Sequence, residues 1–96
     1  MLTPLEVKKK LTALKPELSE RFHVRKIGFF GSFATNTAHP ASDLDILVEF
    51  SSPLGWEFFD LEEFLEKAFD RKVDLVTPNA LKPQIKSSIL NQVVFV

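Results

Sequence analysis

The strongest constraint on this chain is a Gly-Ser pair, Gly31-Ser32, followed after ten intervening residues by Asp43-Leu44-Asp45. The residues before the pair, 24–30, are rich in β-branched and aromatic side chains and read as a strand that ends in a tight turn. Residues 44–50 read as a second strand. Leu44, Ile46, Val48 and Phe50 share one of its faces, so period two puts Asp43 and Asp45 together on the other, at its start. Two carboxylates side by side repel unless a cation lies between them. Oxygen ligands select magnesium or a similarly hard ion. Gly31-Ser32 opens a turn, with a short helix starting there, whose backbone N–H groups can point outward and hold phosphate oxygens.

The rest of the chain supplies a frame for this segment. Thr3-Pro4-Leu5-Glu6 is a helix start: a capping threonine, proline at the first helical position and a glutamate that closes a capping box. Val7, Leu11, Leu14 and Leu18 follow at helical spacing. Pro16 interrupts them and predicts a break, or a second short helix over 16–22. Lys8, Lys9 and Lys10 read as a solvated helix face. Residues 33–42 read as a polar, small-residue loop in which Asn36 suits a left-handed conformation; His39 reads as plain loop and His23 as structural. Residues 56–69 read as a helix striped by Phe58, Leu61, Leu65 and Ala68 and widened by Trp56, Phe59, Phe64 and Phe69. Most of that surface is expected in the core, and the excess is suited to a protein contact.

Residues 72–77 read as a third strand, with Val73 and Leu75 facing one way and Asp74 the other. If it lies beside the second strand, Asp74 joins Asp43 and Asp45. A last helix is predicted with Leu81, Ile85 and Ile89 on one stripe and Pro83 in its first turn, followed by an apolar tail, Val93–Val96, packed down or paired. These elements predict an α/β fold: a small mixed β-sheet with helices packed mainly on one side and the site at the open face, all in one domain over residues 1–96.

Composition excludes several function classes. There is no cysteine, so no disulfide, thiolate metal site or cysteine nucleophile is possible. A net charge of −1 is no broad footprint for nucleic acid. No apolar run is long enough to span a bilayer, and no signal-peptide pattern opens the chain; a cytoplasmic location is expected, with no membrane contact. Three carboxylates at strand ends beside a phosphate-holding turn suit metal-assisted nucleotidyl transfer. Two magnesium ions about 4 Å apart would stabilise the attacking and leaving oxygens. Asp43 and Asp45 would bridge them, and Asp74 would complete the shell of the ion that activates the nucleophile. There is no tyrosine in the chain, so self-modification on tyrosine is excluded.

Gly31-Ser32, Phe33 to Ser42, then Asp43-Leu44-Asp45 resembles the Gly-Ser-x10-Asp-x-Asp motif of the DNA polymerase β-type nucleotidyltransferase superfamily. Gly28-Phe29-Phe30, Ser42, the short chain and Val73-Asp74-Leu75 look like its minimal nucleotidyltransferase branch. The resemblance implies that fold. It places Asp43, Asp45 and Asp74 on the family's metal-binding catalytic carboxylates, and Gly31, Ser32 and Ser42 on its nucleotide-binding segment. Thr35 and Asn36 depart from it, standing where members often have Arg and Gly. It further implies Mg2+ and ATP, and a partner: a HEPN-domain, RNase-like toxin neutralised when AMP is transferred to one of its tyrosines, in a hetero-oligomer. The alternative is a binding module that neutralises its partner by contact through Trp56, Phe58, Phe59 or Val93–Val96. Transfer to a small molecule or RNA is a weaker reading, because neither an acceptor pocket nor a basic face is evident.

Overall fold

A computed structural model describes residues 2–96. Its elements run α1 (Pro4–Phe22), β1 (Val24–Phe30), a 3-10 turn (Gly31–Phe33), β2 (Leu44–Phe50), α2 (Glu57–Phe69), β3 (Val73–Val76), a second 3-10 turn (Pro78–Ala80), α3 (Pro83–Gln92) and β4 (Val94–Phe95). The capping box forms: Glu6 N–H donates to Thr3 Oγ1 at 3.2 Å, and Thr3 N–H donates to Glu6 Oε1 at 3.0 Å. The expected break at Pro16 does not occur, and α1 runs through it. A proline inside a helix costs about 3 kcal/mol. Val7 and Leu11 before it, and Leu18 and Phe22 after it, are all buried, each worth about 1.5–3 kcal/mol. Packing of both halves therefore outweighs the lost hydrogen bond and keeps one axis. Lys10 does not stay in the solvated run: its Nζ donates to the Ala68 carbonyl near the end of α2, where a cation is favoured.

The sheet order is β3-β2-β1-β4. β1 pairs antiparallel with β2 and β4, while β2 and β3 are parallel. One face carries Ile27, Phe29, Leu44, Ile46, Val48, Val73 and Leu75 into a core shared with Val7, Leu11, Leu18 and Phe22 of α1 and Leu61, Leu65 and Phe69 of α2. This is the expected mixed sheet with helices mainly on one side. The apolar tail is paired, as β4, on the free edge of β1. A side chain at Gly28 would meet Val93 Cγ1 at 2.6 Å and the Val94 carbonyl at 2.7 Å, so this edge closes only over glycine.

Three local expectations need correction. Phe33 does not open the polar loop but closes the 3-10 turn, which folds its side chain back into the core, where it is 1% exposed. Leu81 lies outside the last helix. Pro83 occupies the first helical position and pushes Lys82 into extended backbone, as proline does to the residue before it. Trp56 caps α2 rather than entering it. No helix of the described residues is long and apolar enough to cross a membrane.

Candidate active site

Register builds the site. β2 and β3 are aligned so that Asp45 lies directly opposite Asp74, and β1 places Phe30 opposite Asp45. The antiparallel β1–β2 pair thus delivers the residue after Phe30, Gly31, to the Asp45 carboxylate. Gly31 has φ +71°, and a Cβ there would overlap Asp45 Oδ2, with Asp45 Cγ 3.2 Å away. Both the backbone conformation and the close approach require glycine.

The turn is held by its own carbonyls. Gly31 O accepts from Ala34 N–H at 3.0 Å and Thr35 N–H at 3.1 Å. Thr35 Oγ1 also donates to it, at 3.2 Å. Ser32 O accepts from Thr37 N–H at 2.9 Å. Among the described residues no backbone acceptor outside regular helix and strand pairing takes the N–H of Ser32 or Phe33, so both can donate to an anion. Asn36 adopts the expected left-handed conformation, φ 58°.

The carboxylates have little to neutralise them. Burial raises the Asp45 carboxyl to about 6, with Asp74 and then Asp43 adding repulsion. Among the described residues the ion pairs are Arg21–Glu17, Arg25–Glu49 and Lys67–Glu63, and none involves these aspartates. Asp43 and Asp74 are exposed and Asp45 half-buried. Asp74 and Asp43 are thus both near enough to act on Asp45, yet among the described residues no three His, Cys, Asp or Glu side chains are drawn together as a ready-made ion shell.

Ser42 is occupied in a different way from the other expected nucleotide-binding residues. Its Oγ accepts from His39 N–H at 3.0 Å, and its N–H donates to His39 O at 2.9 Å. His39 itself accepts from Ala41 N–H through Nδ1, at 3.3 Å. Arg71 joins the site without a motif of its own in the sequence. Its Nη1 donates to Ser42 O at 3.2 Å, and its guanidinium lies 5.0 Å from the centre of the Phe33 ring. Only the charged run Asp70-Arg71-Lys72 before the third strand could have signalled it, and such runs are usually solvated.

The model of a nucleotidyltransferase domain matches residues 11–96. The chain belongs to the nucleotidyltransferase domain family. A protein of Thermococcus cleftensis named protein adenylyltransferase MntA is 47% identical to this nucleotidyltransferase over 97 residues, covering 100% of this chain and 98% of that one. A solved structure of a candidate minimal nucleotidyltransferase superposes with a TM-score of 0.80 at 26% identity, over 97% of this chain and 95% of the other. A toxin–antitoxin structure with AMP-PNP superposes with a TM-score of 0.69 at 25% identity, over 98% of this nucleotidyltransferase and 72% of the other chain.

Proposed function

We propose that this nucleotidyltransferase is an antitoxin that transfers AMP from ATP to a tyrosine of a HEPN-domain, RNase-like toxin and thereby neutralises it. The observation that carries the reading is the row Asp74–Asp45 in adjacent strands, with Asp43 beside it and the Gly31 turn against the Asp45 carboxylate. The names of its relatives, protein adenylyltransferase and a toxin–antitoxin pair with AMP-PNP, support it.

The donor set fits magnesium: only carboxylate oxygens, with Asp74 and Asp43 both repelling Asp45 and none of the three in an ion pair among the described residues. Asp43, Asp45 and Asp74 would hold the ions, because an all-oxygen donor set suits hard cations. Bound magnesium would lower the barrier by neutralising charge on the phosphates and acidifying the acceptor hydroxyl. The free N–H groups after Gly31 hold the outer phosphates. The tyrosine oxygen forms a bond to the α-phosphorus, and the bond from that phosphorus to the oxygen bridging to the β-phosphate breaks. The bridging oxygen leaves with its electron pair as pyrophosphate. The hydroxyl proton passes to a carboxylate oxygen of Asp74.

The test incubates the chain with its partner, magnesium and ATP labelled at either the α- or the γ-phosphate. Label is expected on the partner from the α-position only, and Asp43→Asn should abolish it while leaving the circular dichroism spectrum unchanged. Label from the γ-position alone would overturn the choice of leaving group.

One observation favours a second reading, neutralisation by contact. Trp56 is 83% and Phe59 59% exposed, with ring centroids 6.0 Å apart. Aromatic pairs of this kind are typical interface anchors. Replacing both by alanine is expected to weaken partner binding by about 2 kcal/mol or more, roughly thirtyfold in Kd, in a pull-down or calorimetric titration. Protection of cells by Asp43→Asn, undiminished, would establish the contact reading over catalysis.

A further inference from the structure

Arg71 is the charged group beside the site that the transfer chemistry leaves unused. It stands between the end of α2 and the start of β3, and its main chain is fixed on both sides. Its N–H donates to Glu66 O at 3.3 Å, the next residue's carbonyl accepts from Leu44 N–H at 3.0 Å, and Val73 N–H donates to Glu66 Oε2 at 3.1 Å. From this anchored base the side chain reaches two other segments. Nη1 meets the carbonyl of Ser42, the residue before Asp43, and the guanidinium carbon lies over the ring of Phe33, the last residue of the Gly31 turn. Its Nε is buried with no partner. An unmet buried donor on a charged group costs stability, so packing alone is a poor reason for arginine here.

The two segments that Arg71 touches are the two ends of the loop over residues 34–41. Within that loop the polar contacts are local: Thr35 Oγ1 with Thr37 Oγ1 at 2.9 Å, and Ser42 with His39. The side-chain contact that spans from one end to the other is the guanidinium. Arginine suits this task because its planar fork can stack on a ring and donate in its own plane at once, whereas a lysine ammonium is a point charge. The fork also spends its donor on a backbone carbonyl, which leaves the neighbouring carboxylates uncompensated.

We infer that Arg71 is a positioning residue that clamps the Gly31–Phe33 turn to the Ser42–Asp43 strand entry and so fixes the phosphate-holding turn relative to Asp43. The role in transfer rests on the adenylyltransfer reading above; the clamp itself does not. The test compares wild type with Arg71→Lys and with Phe33→Leu, which keeps an apolar side chain but removes the ring. Hydrogen exchange is followed at the amides of Thr37 and Ser42, and transfer of α-label is followed against ATP and magnesium concentration.

Both variants are expected to raise exchange at those amides by about tenfold or more over exchange in β1 and β2. KM for ATP or the half-saturating magnesium concentration should rise roughly 10–100-fold, the usual cost of losing a residue that orients the groups of a site, with a smaller change in kcat. Exchange unchanged in Arg71→Lys overturns the clamp, whatever happens to transfer. Exchange raised with KM and magnesium dependence unchanged overturns its role in positioning. Raised exchange in a chain whose wild type transfers no label sinks the adenylyltransfer reading and leaves the clamp standing.

Discussion

Gly31→Ala is expected to cost both folding stability and nearly all transfer. The left-handed backbone at Gly31, φ +71°, costs a residue with a Cβ about 1–2 kcal/mol. The methyl group would also overlap the Asp45 carboxylate, and forcing extra atoms into a packed position adds roughly 1–3 kcal/mol. At about 4–8 °C per kcal/mol for a chain of this size, the melting temperature should fall by on the order of 10 °C or more. Transfer should fall about 100-fold or more even well below the melting temperature, because the carboxylate displaced is one that the proposed mechanism uses to hold metal. Gly31→Asn separates the two causes. Asparagine tolerates the left-handed region but carries the same Cβ, so it should recover part of the stability and none of the activity. Full activity in Gly31→Ala would show that the turn does not press on the carboxylate that matters.

Asp45→Asn should have opposite effects on stability and function. Asp45 faces Asp74 across a parallel strand pair, and like charges directly opposite in a sheet cost up to about 1 kcal/mol. Removing one charge in the presence of a chelator should raise the melting temperature by on the order of 5 °C, while α-label transfer is lost. The pH dependence has a definite sign. The folded carboxyl titrates near 6, against an ordinary value of 3.8, chiefly through burial and then through Asp74 and Asp43. Above pH 6 the folded chain carries a charge that the unfolded chain carries at less cost. The stability from a neutral Asp45 is therefore full below 3.8 and is lost as pH rises through 6. Thermal melts of wild type in chelator should show this loss between about pH 4 and 7, and Asp45→Asn should flatten it. An equally steep loss in the variant would assign the dependence to other groups.

The arrangement of the candidate site is legible where chemistry and strand periodicity agree. Alternation put Asp74 opposite to Val73 and Leu75, and the adjacency of β2 and β3 then brought it to Asp45. What periodicity cannot supply is register, and only the pairing shows that Asp45 and Asp74 are direct partners rather than diagonal neighbours. At Pro16 the local rule for proline gives way to the burial of apolar residues on both sides of it. Phe33 misled because its neighbours are small and polar, although its own ring belongs to the core. Arg71 was invisible for a different reason: its meaning comes from Phe33 and Ser42, 38 and 29 residues earlier in the sequence, and no local pattern connects them.

The alignment of Asp45 with Asp74 has a consequence for folding. Sliding β3 by two residues along β2 would keep every apolar side chain on its own face and would displace the two charges from each other by about 6–7 Å along the strand. Burial alone cannot forbid that slip, and repulsion favours it. The alignment must be imposed at the start of the strand, where Glu66 receives the Val73 N–H and Lys72 O receives the Leu44 N–H. The helix end and the strand start thus act as a stop that holds a frustrated pair in place, and weakening that stop would yield well-packed chains that are out of frame by one pleat.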